Sequence, residues 1–276
     1  MSIHSPSLHS TTSIAQTTSQ LPPHINEGCY AIKNVGLGAV GVGLTSLILR
    51  LDKGRVIKVP KTFTADDFPR RDVDYVEYMN DINREALELE QRIYKRLEDH
   101  LGIIRCMKMS SNGIELAFAK EGDLESYIKT NPEPHDHLKI KWILSLITTL
   151  SYIHSRRVFV DEIALRNVLV NEEQLFYSDF GNSCLLPVTA DVDTACENGV
   201  TVKIEILHLG WIIYSIAVWA VHKYYYFGHG DPQWPRLQDL PPTDHVYCGP
   251  IIQKCWNGDY KNVEALNKDM LSLLAD

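Results

Sequence analysis

The chain has 276 residues, 45% of them hydrophobic and 22% charged, which is enough to bury a sizeable core and too apolar for a disordered chain. A formal net charge of −8 argues against nucleic acid as a partner. The six cysteines, at 29, 106, 184, 196, 248 and 255, form no CxxC pair and no zinc-finger spacing, pointing to reduced thiols in a cytoplasmic or nuclear protein.

Residues 1–25 are rich in Ser, Thr, His, Gln and Pro and read as a disordered tail without the apolar core of a signal peptide. Residues 26–276 are expected to form one domain of two lobes, the first over about 26–118 and the second over about 122–276. In the first lobe a glycine-rich run precedes two strands, 45–51 and 55–60, joined by the turn Asp52-Lys53-Gly54. A charged loop over 62–74 leads to a helix over 76–97, on which Ile82, Ala86, Leu89, Ile93 and Leu97 recur at three- and four-residue steps. Short strands are predicted at 103–107 and 114–118, and a short helix at 124–128. A long helix over 138–154 follows, then strands 168–170 and 175–177 around the turn Asn171-Glu172-Glu173. Residues 181–200 read as a loop. Residues 204–221 are apolar, but Glu205 and His208 interrupt them and the run falls short of the ~20 residues of a membrane span. A buried core helix is the reading, and no membrane is expected as a partner. A Pro- and aromatic-rich loop over 224–246, with Tyr224, Tyr225 and Tyr226 as a packed patch, precedes closing helices at 251–256 and 263–274.

Four stretches carry chemistry. Gly36, Gly38 and Gly41 satisfy GxGxxG in VGLGAVGVG. Glycines there let backbone N–H groups approach phosphates closely. A dinucleotide fold needs a helix after this motif, and a strand is predicted instead; a GK[ST] sequence is absent too. Lys58 lies 17 residues after Gly41 in VIK. Residues 116–124 read LAFAKEGDL. Residues 158–181 hold Glu162, then Asn167 five positions on, then Asp179-Phe180-Gly181 beginning twelve after that. His135-Asp136-His137 has no further ligand near it and reads as a solvated loop and helix cap.

In this order and spacing the chain resembles the eukaryotic protein kinase family over about residues 32–274, and within it the divergent compact kinase-like proteins of filamentous fungi. INREALELEQRIYKRL, EGDLESYI, TVKIEILHLG and IIQKCWNGDY carry the likeness beyond the core motifs, and Cys255-Trp256 is similar to tyrosine and tyrosine-kinase-like members. The resemblance implies an α+β bilobal fold, a small β-rich N-lobe and a larger helical C-lobe, with ATP and Mg2+ in the cleft. It implies that Gly36, Gly38 and Gly41 cover the phosphates and that Lys58 binds them. Lys58 would pair with Glu90, with Glu85 and Glu88 as competitors. Ala117 and Ala119 would read the adenine edge, and Asp123 would accept from the ribose or cap a helix, or both. Asn167 and Asp179 would hold Mg2+, hard oxygen donors suited to that ion.

The pattern also breaks. The family's His-Arg-Asp is Val160-Asp161-Glu162 here, so the general base is one methylene longer, with Asp161 as the alternative. Misplacement by ~1 Å is enough to cost ~10²-fold in rate. Arg166, four after Glu162, matches the arginine of tyrosine kinases. Asp161 stands where an arginine would bind a loop phosphate, so phosphorylation at Ser183, Thr189, Thr194 or Thr201 is not expected to activate. No Ala-Pro-Glu follows, and Glu205 replaces the Asp that holds the catalytic loop, a second one-methylene extension that would offset the first. The leading expectation is slow phosphoryl transfer from Mg-ATP to a protein hydroxyl, Ser/Thr or Tyr unresolved. The rivals are a pseudokinase acting as a nucleotide-binding or scaffold module, and a small-molecule kinase.

Overall fold

The structure, a computed structural model, describes residues 38–68, 73–228 and 232–275. Gly36 and the expected tail over 1–25 therefore lie outside the described residues.

The first lobe is a five-stranded antiparallel sheet in the order β1-β2-β3-β5-β4, made of β1 (Ala39–Val42), β2 (Ser46–Arg50), β3 (Arg55–Pro60), β4 (Cys106–Ser110) and β5 (Gly113–Ala117). Strand period two decides what faces inward. On β3 it puts Lys58 on the same buried face as Val56, with Lys58 in register between Ile48 and Ile114. A lysine forced inward in this way needs an anionic partner. Helix α1 (Val73–Leu97) packs on β3 and β5 and supplies it. Its buried positions Val76, Asn83, Leu87, Glu90, Tyr94 and Leu97 recur at three, four or seven residues, so Glu90 belongs to the inward stripe. Glu85 and Glu88 are exposed on the other face, which removes both competitors.

One predicted strand is misplaced. The segment expected at 103–107 is strand only from Cys106, as β4, while Ile103 makes an isolated bridge to Tyr177. The apolar pair Ile103 and Ile104 is buried at 3% exposure each, plugging the core rather than extending the sheet. The chain passes so close to the second lobe here that a Cβ on Gly102 would lie 1.8 Å from Thr149 Oγ1.

The second lobe is helical. It contains α2 (Leu124–Thr130), α3 (Asp136–Ser155), α4 (Val202–Val218), α5 (Gly249–Asn257) and α6 (Val263–Ala275). Helix α4 is buried continuously from 204 to 216 and packs against α3 and α5, so its all-round apolar sequence is that of a central core helix. Among the described residues no helix is long and apolar enough to cross a membrane. Two small ribbons complete the lobe: β6 (Val158–Phe159) with β9 (Cys184–Leu185), and β7 (Val168–Asn171) with β8 (Gln174–Tyr177). The β7–β8 turn is the one expected. Glu172 and Glu173 both take positive φ, 52° and 57°, which suits a tight two-residue hairpin.

Candidate active site

The two lobes meet at residues 118–123 and enclose a cleft of about 710 Å³. Lys58 lines it. Its Nζ lies 2.5 Å from Glu90 Oε2 and 2.7 Å from Asp179 Oδ1, with Lys58 4% and Glu90 1% exposed. Burial works against the charge on Lys58, but Glu90 and Asp179 outweigh it and hold the amine above its usual range. Burial likewise pushes Glu90 up, with Lys58 opposing. Burial acts to raise Asp179 too, yet the charge and hydrogen bond of Lys58 prevail, and its carboxyl sits below the usual range.

Glu90 has a second task. Its Oε1 accepts from Phe180 N–H at 3.2 Å, and the fully buried Phe180 ring meets Tyr94 of α1 edge-on at 5.4 Å. Helix α1 thus fixes Phe180 from below. With Phe180 seated there, the positive φ of Asp179, 60°, turns its carboxyl to Lys58.

The loop between β6 and β7 carries the opposite wall. Glu162 forms an ion pair with Arg166 four residues on, and its other oxygen accepts from Asn182 Nδ2 at 3.3 Å. Asn167, 7% exposed, donates from Nδ2 to Glu162 O at 3.0 Å. The amide's oxygen end is then the one left for a cation, and no donor reaches it among the described residues. With the carboxyl of Asp179 in the same cleft, this hard-oxygen pair fits Mg2+. Asn167 O accepts from both Ser178 N–H, 2.9 Å, and Ser178 Oγ, 2.8 Å, so the two metal-site candidates share one scaffold.

Asp161 does not compete with Glu162 for the cleft. It takes a φ of 64°, its N–H donates to Glu205 Oε1 at 2.7 Å, and its Oδ1 is buried with no hydrogen-bond partner among the described residues. Burial, then Glu205 and Glu162, pushes its carboxyl up to about 7. The unfolded chain ionises this group near 3.8, so between about pH 4 and 7 the folded state holds a proton the unfolded state has lost. Stability therefore falls as pH rises through that window, at up to about 1.4 kcal/mol per unit. Asp161→Asn should remove this slope. In urea titrations the variant should gain roughly 1–3 kcal/mol on wild type between pH 4.5 and 7.5, and parallel curves would refute the assignment.

Glu205 itself, 0% exposed on α4, holds the loop as its position in the sequence implies. Besides Asp161 N–H it meets His154 Nε2 at 2.6 Å. Ser183 is 1% exposed with its hydroxyl donating to Val160 O at 2.9 Å, and Thr201 caps α4. Both are structural hydroxyls.

At the hinge, Ala117 and Ala119 line the cleft. Ala119 O accepts from Gly122 N–H at 3.4 Å, whereas its own N–H finds no acceptor among the described residues. Asp123 lines the cleft and also caps α2, accepting from Ser126 N–H at 2.9 Å and Ser126 Oγ at 2.8 Å. Gly41, Val42 and Gly43 roof the cleft, and Gly38 does not reach its lining. Lys58, Glu90, Asn167, Asp179, Glu162, Arg166, Gly41, Ala117, Ala119 and Asp123 are thus brought together around one cavity. Asn182 and Tyr225 also line it; Asn182 was not picked out from the sequence, and Tyr225 reads there only as part of a packed aromatic patch. Asn182 follows Gly181 directly, a place where its reach to Glu162 was open to inference. Tyr225, far along the chain in an aperiodic loop, gave no signal of a place at the cleft.

A family model for protein tyrosine and serine/threonine kinases matches residues 74–205, from α1 into α4. CBL-interacting protein kinase 25 of Oryza sativa subsp. japonica is 26% identical over 150 residues. That alignment covers 49% of this chain, and the chain spans only 29% of the relative's length. The fold is that of a protein kinase domain, with a small antiparallel-sheet N-lobe and a helical C-lobe, and the two matches support a protein kinase-like family for the chain.

Proposed function

We propose that the chain binds Mg-ATP in the interlobe cleft and transfers the γ-phosphoryl group to a protein hydroxyl, slowly. The observation that carries this reading is Lys58, buried and charged, bridging Glu90 on α1 and Asp179 on the facing lobe. Such a bridge is costly to build in a protein interior without a use for the amine. Lys58 supplies a fixed positive charge for the α- and β-phosphates, and the Gly41–Gly43 roof lets backbone N–H groups approach them. Ala119 N–H and the Ala117 carbonyl would read the adenine edge. Asp123 would accept from the ribose, although its carboxyl already serves the helix cap. Asn167 and Asp179 would hold Mg2+, which when bound neutralises charge on the transferred group.

Glu162 is the base. Arg166 and Asn182 hold its longer side chain, so the added methylene is restrained rather than free. Arg166 is then available to stabilise developing negative charge at the mouth of the cleft.

Mg-ATP should raise the Tm of the purified chain, and label from γ-labelled ATP should reach protein. Glu162→Gln should lower transfer by ~10²–10⁴-fold while the nucleotide-induced Tm shift persists, and Asp179→Ala should abolish transfer. A chain stabilised by Mg-ATP that transfers nothing would instead be a nucleotide-binding scaffold.

A further inference from the structure

The loop after α4 brings a tyrosine to the base. Tyr225 lines the same cleft as Glu162, Arg166, Asn182 and Asp179 and is 47% exposed. Its neighbours hold it there from both sides. His208 of α4 accepts from Tyr226 N–H at 3.0 Å and stacks under the Tyr225 ring, centroids 5.6 Å apart at 24°. Burial holds His208 down near 4, so its imidazole stays neutral and remains an acceptor at neutral pH. Tyr224 stacks on Trp211 at 5.6 Å and donates its hydroxyl to Gln233 O. Tyr226 packs edge-on against Phe227 at 5.1 Å.

The flanking tyrosines are thus spent on packing, while the Tyr225 hydroxyl makes no hydrogen bond among the described residues. Burial, then Asp161 and Glu162, push that hydroxyl up to about 12, and Arg166 opposes them, which places it within the field of the catalytic pair. The other hydroxyl-bearing residues of the cleft are differently placed. Ser178 Oγ is committed to Asn167 O, and Thr45 and Ser46 sit at the start of β2 in the other lobe.

We propose that Tyr225 is the phosphoryl acceptor of its own active site, modified in cis. The inference rests on the phosphoryl-transfer reading above. Tyr225 Oη attacks the γ-phosphorus of bound ATP, the bond from that phosphorus to the β,γ-bridging oxygen breaks, and ADP leaves with the bridging oxygen's electron pair. The phenolic proton passes to the Glu162 carboxylate, and the new phosphate monoester lies within reach of Arg166.

The test incubates the full chain with Mg-ATP at two protein concentrations tenfold apart and follows intact mass, phosphopeptides and the nucleotide-induced Tm shift. One phosphate per chain at Tyr225, gained at the same first-order rate at both concentrations, is the expected result, and Tyr225→Phe should lose it. A Tm shift with no phosphate at Tyr225, or a rate that scales with protein concentration, overturns this inference and leaves nucleotide binding standing. Absence of any shift with Mg-ATP overturns the parent reading as well.

Discussion

Replacing Lys58 by methionine should destabilise the domain by about 3–5 kcal/mol and lower phosphoryl transfer by at least ~10²-fold. Methionine matches the length of the lysine stem, so packing against Val56 and the sheet is largely kept. What goes is the charge. Glu90 is 1% exposed and then faces no cation, although Phe180 N–H still donates to it. Its pKa, already raised by burial, climbs further once the opposing amine is gone. Removing one member of a buried pair exposes the desolvation cost of the other, which is why the loss exceeds the worth of the contact itself. For a domain of this size the drop corresponds to roughly 10 °C in Tm. The double variant Lys58→Met/Glu90→Leu separates charge from packing. It should regain most of the stability and none of the transfer, because two apolar side chains replace the pair but cannot bind phosphate. A single variant that melts within a degree of wild type would mean that the two side chains are not buried together.

Lys58 and Glu90 are far apart in sequence, and period two on a strand plus the three-four stripe on a helix suffices to turn both inward. The loop from Glu162 to Asn167 was legible as a cluster because Glu162, Arg166 and Asn167 lie within five residues of one another, and local contacts join them: an Arg166–Glu162 ion pair and a hydrogen bond from Asn167 to Glu162 O. Strand β4 was not legible. Ile103 and Ile104 have strand composition, but they are buried beside Tyr177 of β8, to which Ile104 N–H donates, a tertiary contact that no local pattern announces. Tyr225 failed to show for the same reason. Its place at the cleft depends on His208, seventeen residues before it on a different element, and an aromatic run in a loop has no period to betray one member. The inward turn of Asp161 is a third case. Its φ is positive and its N–H donates to Glu205; the five-residue count to Asn167 favours Glu162 for the cleft, but the contact that holds Asp161 inward comes from a distant helix.

On the proposed reading Glu205 joins stability to phosphoryl transfer, and three substitutions there should separate them. Glu205→Ala leaves His154 Nε2 and Asp161 N–H without partners and opens a void in α4, at a cost of about 3–5 kcal/mol. Glu205→Gln keeps the volume and one acceptor oxygen but puts an NH2 where the other oxygen stood, so the loss should be nearer ~1–2 kcal/mol. Glu205→Asp keeps both oxygens on a stem one methylene shorter, which cannot span from His154 to Asp161 N–H, now 2.6 and 2.7 Å from the carboxyl. The Asp161 N–H is the contact expected to lengthen, because His154 is held by its ring contact with Phe159. Asp161 is bonded through the backbone to Glu162, so its displacement moves the base. A shift of ~1 Å there predicts a fall in kcat of ~10²-fold with KM for ATP unchanged, since Lys58 and the hinge are untouched. Adding Glu162→Asp to Glu205→Asp restores the shorter stem at both positions together. If the two extensions are matched to each other, kcat should recover at least tenfold from the single Glu205→Asp value. Equal rates for the single and double variants would show that Glu205 supports the fold alone and that the length of the base is set independently by Arg166 and Asn182.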